Sequence, residues 1–93
     1  MNFEELVEKM SIIKKLHTAR EEHNKTIFYK KPYSAKSITI ITFDKTKTFD
    51  LEKVNLLSVS HEGLLLQYVV ADKYRMYPYP ITIIKDVIVN EEI

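Results

Sequence analysis

The stretch Val54-Asn55-Leu56-Leu57-Ser58-Val59-Ser60, His61-Glu62-Gly63, Leu64-Leu65-Leu66-Gln67-Tyr68-Val69-Val70 decides the fold of this chain. Two runs rich in β-branched and apolar residues flank a turn that contains the only glycine of the protein. Glycine tolerates positive φ, so Gly63 is expected to make the hairpin turn. Leu64, Leu66, Tyr68 and Val70 fall on one side of the second run, Leu65 and Val69 on the other. Strands apolar on both faces need cover on both sides. A second turn at Ala71-Asp72-Lys73 leads into Tyr74-Arg75-Met76-Tyr77, where Pro78 and Pro80 bracket Tyr79, and the chain runs on through Ile81 to Val89. The whole reads as an antiparallel β-meander.

Upstream, Ser37 to Phe43 is a clear strand, with isoleucines set among threonines. Asp44-Lys45-Thr46-Lys47 reads as its hairpin loop and Thr48 to Leu51 as the return strand. Thr26-Ile27-Phe28-Tyr29 is a further short strand, ended by the Lys30–Lys36 loop around Pro32.

Residues 2–23 read as one amphipathic helix. Asn2 and Glu5 have capping-box spacing. Phe3, Leu6, Val7, Met10 and Ile13 form an apolar stripe at helical period, with His17 at its end. Ile12, Leu16 and Ala19 form a displaced flank, read either as a wide core face or as a contact surface. The expected fold class is therefore α+β: an N-terminal helix packed on a small antiparallel meander or barrel of five to six strands over 26–90, in one domain spanning 1–93. This outline is similar to SH3-like and Sm-like small barrels. The glycine and Asp-x-x-Asn element of Sm-type sheets do not stand at the expected place, so the resemblance implies an outline and no family.

Composition narrows the chemistry. Across 93 residues, 14 basic and 13 acidic side chains leave a net charge of +1, which argues against a strongly basic nucleic-acid coat. Cysteine is absent, which removes disulfides and thiolate chemistry and makes a cytoplasmic location the expectation. No apolar run approaches the roughly 18 residues of a membrane helix, so no membrane partner is expected. A single glycine excludes Walker and Rossmann phosphate loops, and no cofactor is expected. His17 and Glu21 stand at i, i+4 without a third metal ligand in pattern. Ser60 and His61 are adjacent on a strand and would point apart, so no nucleophile is assembled.

Two segments carry the functional expectation. Tyr74, Met76, Tyr77 and Tyr79, together with Ile12, Leu16 and Ala19, are candidate protein-contact residues, because tyrosine gives interface area at low entropy cost. The expected function is a non-enzymatic binding module with a protein partner, self-associating as a homodimer or larger. The alternative is an RNA or single-stranded DNA binder. In it Lys30, Lys31, Lys36 and Arg75 meet phosphates while Tyr33, Tyr77 and Tyr79 stack bases.

Overall fold

A computed structural model of the chain describes residues 1–11, 21–23 (backbone) and 26–91. One short helix, α1 (Phe3–Lys9), precedes strands β1 (Glu21–His23), β2 (Thr26–Lys30), β3 (Ser37–Thr42), β4 (Thr46–Asp50), β5 (Val54–Ser60), β6 (Gly63–Val70), β7 (Lys73–Pro80) and β8 (Ile84–Asn90). The strands form two antiparallel sheets, a larger one in order β1-β2-β5-β6-β7 and a smaller one in order β4-β3-β8. The α+β class holds. The strands outnumber the five or six expected, and they divide between two sheets that face each other instead of closing into one barrel.

The core follows from register. Across the larger sheet, Ile27, Val59, Leu64 and Tyr79 form one row on the inner face, and Tyr29, Leu57, Leu66 and Tyr77 form the next. From the smaller sheet, Phe49 pairs with Ile38 and Ile38 with Val89, while Ile40 pairs with Val87. Ile38, Ile40, Phe49, Val87 and the inner-face leucines and valines are all buried in one cluster. Burying such side chains contributes about 1.5–3 kcal/mol each relative to exposure, against the entropy of ordering the chain.

The helix starts as its sequence predicts. Asn2 accepts from the Glu5 amide at 2.8 Å, and Glu5 accepts from the Asn2 amide at 2.9 Å. Leu6 and Met10 are fully buried, and Phe3 and Val7 pack partly against the same core. α1 touches β5 and β8, one strand from each sheet, so it packs on the sheets as expected. Phe3 stacks on His61 with ring centroids 4.2 Å apart. Lys9 reaches Asp86 at 3.2 Å.

The reading of one helix to residue 23 is overturned at its far end. Glu21–His23 is extended and pairs with β2, Glu21 opposite Phe28 and His23 opposite Thr26. β2 has β5 on one edge only, and pairing with the preceding chain satisfies backbone groups on the other. Ile12, Ile13, Leu16, His17, Ala19 and Asn24 lie outside the described residues.

The turns also differ from expectation. The β3–β4 loop is shorter than read: β4 begins at Thr46, and the Thr42 amide donates to the Lys45 carbonyl at 2.8 Å. In the β5–β6 hairpin the turn residues are His61 and Glu62, and Gly63 opens β6 with φ +145°. A side chain at Gly63 would collide with the Tyr79 carbonyl and lie 2.8 Å from the Ile81 nitrogen. Its place is fixed by close approach to β7 as well as by φ. The β6–β7 turn, Ala71-Asp72, has φ 51° and 64° without any glycine. Two consecutive left-handed residues are what a tight two-residue hairpin requires, and a Cβ there costs about 1–2 kcal/mol per residue.

Two outcomes follow. Met10→Asp forces a charge into the core and lowers unfolding free energy by about 3–5 kcal/mol in urea titration. Opposite signs are expected at the two turns. Gly63→Ala destabilises by more than about 1 kcal/mol, whereas Ala71→Gly stabilises by up to about 1 kcal/mol, both read from denaturation midpoints at constant slope.

Candidate functional site

Strand alternation divides the Tyr74–Tyr79 segment between two faces. Tyr77 and Tyr79 turn inward. Phe49 stands edge-on to both, at centroid distances of 5.0 and 6.4 Å, and to Tyr68 at 5.3 Å. Lys47 lies over this cluster, its Nζ 4.9 Å from the Tyr77 ring centre and 5.5 Å from that of Phe49. The edge strands β4 and β7 of the two sheets are thus neighbours in space, and a cation–π contact spans them. Burial, and secondarily Tyr77, pushes the Tyr79 phenol above its ordinary value.

Tyr74 and Met76 turn outward, 65% and 49% exposed. Register places them on one surface with residues of three further strands. Met76 pairs with Gln67 and Gln67 with Leu56; Tyr74 pairs with Val69; Pro78 pairs with Leu65, Leu65 with Ser58 and Ser58 with Phe28. Phe28, Leu56, Leu65 and Val69 are half-buried. Among the described residues no helix and no second sheet packs over this face. It holds a depression of about 590 Å³ lined in part by Phe28, Ser58, Ser60, Leu65, Pro78 and Pro80. Phe28, Leu56 and Leu65 did not stand out as site residues in the sequence. For Leu56 and Leu65 the signal was there in the double-sided hydrophobicity of β5 and β6, whose second face needed something to meet.

The basic loop lies elsewhere. Lys30 ends β2, opposite Leu56, and is three strands from Met76 in the same cross-sheet row, on the order of 14 Å away. Lys31 and Lys36 are exposed in the following loop. Tyr33 packs against the core and its hydroxyl donates to the Tyr29 carbonyl at 3.3 Å. A small cleft of about 160 Å³ lies beside it, lined by Lys31, Pro32, Tyr33, Ala35, Leu51 and Glu52. Arg75 sits across the larger sheet on β7, inward in alternation but exposed near the strand's start. The two Tyr/Lys clusters therefore occupy separate regions of the sheet.

Ser60, His61 and the carboxylates form no shared centre. Ser60 Oγ accepts from the Glu62 amide at 3.2 Å, while His61 is engaged with Phe3. Among the described residues no group of three His, Cys, Asp or Glu comes together, and no helix is long and apolar enough to cross a membrane.

No known protein family matches this chain, and no curated protein or solved structure matches it significantly.

Burial raises the Tyr33 phenol well above its ordinary value of 10.0. The folded state then holds this proton more tightly than the unfolded chain does. Its contribution to stability is full below pH about 10 and is lost as pH rises further. Thermal midpoints measured against pH are expected to fall on the alkaline side, and Tyr33→Phe to move that limb to higher pH. An identical limb in the variant would show that Tyr33 ionisation does not drive it.

Proposed function

We propose that this chain is a non-enzymatic protein-binding module of adaptor, regulator or inhibitor type, acting through the outer face of the larger sheet and self-associating there. One observation carries the reading. A face bearing Phe28, Leu56, Leu65, Val69, Tyr74 and Met76 crosses four paired strands whose other side already forms the core. Contiguous apolar surface of this kind marks interaction sites on folded domains. Tyr74 and Met76 are suitable anchors, since both give large contact area at its exposed margin. A cytoplasmic site of action is part of the same proposal.

Binding of RNA or single-stranded DNA has less support. Stacking needs ring faces that a base can reach. Tyr33 is packed into the body of the protein, and Tyr77 and Tyr79 are committed edge-to-face around Phe49. Lys31 shares a small cleft with Tyr33, and Lys30 stands three strands away from β7, which carries Tyr77 and Tyr79.

Sedimentation velocity from micromolar to millimolar concentration tests the proposal. The expected result is a concentration-dependent rise in mass that is lost in a Leu65→Asp/Met76→Asp double variant whose circular dichroism and melting are retained. A monomer at every concentration, or association indifferent to these two side chains, would remove self-association through this face.

A further inference from the structure

β7 is one of the two edge strands of the larger sheet, and its backbone orientation can be assigned from one hydrogen bond. The Ile81 amide donates to the Glu62 carbonyl at 2.8 Å, directly after β7 and in the same register. In an antiparallel ladder, successive residues direct their N–H and C=O groups alternately to opposite edges. Lys73, Arg75, Tyr77 and Tyr79 therefore face β6, and Tyr74, Met76, Pro78 and Pro80 face solvent. Both prolines fall at solvent-facing positions, where the missing N–H takes nothing from the sheet. They remove the outward donors from the second half of the edge. The first half keeps them at Tyr74 and Met76.

This half-guarded edge also has a charge pattern. Side chains of the β6-facing residues point to the inner side, where Lys73 and Arg75 stand and Lys47 reaches across from β4. None of these three cations has an ion-pair partner among the described residues. Tyr74 and Met76 point to the apolar outer face. A strand added beside them would set alternate side chains against the two environments. It would place apolar groups next to Tyr74 and Met76, and carboxylates next to Arg75, Lys73 and Lys47.

We propose that β7 receives an extended segment of another protein, with alternating apolar and acidic side chains, added antiparallel along Tyr74–Met76. This rests on the protein-binding reading above and names the partner's chemistry. A second copy of the same strand fits poorly. Two-fold pairing of β7 with itself sets Arg75 against Arg75, or Lys73 against Arg75, in the registers that avoid Pro78. Like charges directly opposite destabilise a ladder. Self-association by the outer face thus uses side chains and strand addition the backbone edge beside them, with Tyr74 and Met76 contributing to both.

The test is fluorescence anisotropy with three labelled probes: a peptide alternating valine and glutamate, one alternating valine and lysine, and an oligouridine. Binding of the glutamate peptide alone is expected. Arg75→Glu should weaken it by about tenfold or more, and added salt should weaken it too. Met76→Pro removes an outward donor without touching the β6 ladder, so binding should be lost while melting is kept; Met76→Ala should still bind. Methylating alternate backbone nitrogens of the peptide tests the same hydrogen bonds if the proline variant does not fold. Equal binding of the lysine peptide, binding of oligouridine in its place, or binding indifferent to both Met76→Pro and peptide methylation would overturn strand addition. If the chain self-associates through Leu65 and Met76 but takes no peptide, strand addition falls and the face remains. If it does neither, both fall.

Discussion

Phe49 is presented by the edge strand of the smaller sheet, and its ring lies almost fully out of water against Tyr68, Tyr77 and Tyr79 of the larger one. Edge-to-face aromatic pairs contribute about 0.5–1.5 kcal/mol each beyond the area they bury. Here they also fix which way β7 faces. With Tyr77 and Tyr79 turned in to Phe49, a period of two forces Tyr74, Met76 and Pro78 outward. A slip of one residue would turn Tyr77 and Tyr79 away from Phe49 and put two prolines where the ladder needs amides. The same contact holds β4 beside β7, which brings Lys47 over Tyr77. Core packing, the character of the outer face and the charge along the edge are thus settled together at one cluster.

Much of this was legible before any coordinates. The strands β3, β5, β6 and β8 are dense in Ile, Val and Leu, and the short turns between β5, β6 and β7 leave little choice but a meander. The start of the helix was legible because a capping box is a local signal, satisfied by Asn2 and Glu5 whatever the rest does. The end of the helical pattern was not. Glu21-Glu22-His23 has no strand character of its own and is extended because β2 offers it an edge. That is a tertiary effect, and side-chain periodicity carries no trace of it. The Ala71-Asp72 turn was hidden for a similar reason. Its left-handed backbone is imposed by the strands it joins, with no glycine to announce it.

The site was only half legible. Tyr74, Met76, Tyr77 and Tyr79 were expected to act together because they are neighbours in sequence. Alternation separates them into an outward pair and an inward pair, and the inward pair holds the two sheets together. The remainder of the outer face, Phe28, Leu56, Leu65 and Val69, comes from strands distant in sequence and needed the register to be assembled. Lys47 shows the same limit from the other side. In the sequence it reads as a residue of the hairpin loop, and only the approach of β7 sets it over Tyr77.

The topology also separates local contacts from long-range ones. β5, β6 and β7 are joined by tight hairpins, so their contacts close short loops, whereas Asn90 meets Ser37 across 53 residues of chain. Loop-closure entropy favours the local contacts of the meander over the long-range docking of β8 on β3. An unpaired edge strand is where a sheet most readily stacks with other copies. Pro78 and Pro80 stand on the β7 edge and offer no outward amide to a neighbouring copy. Two residues that would limit the reach of an added strand therefore also blunt the same edge against unwanted pairing with other copies.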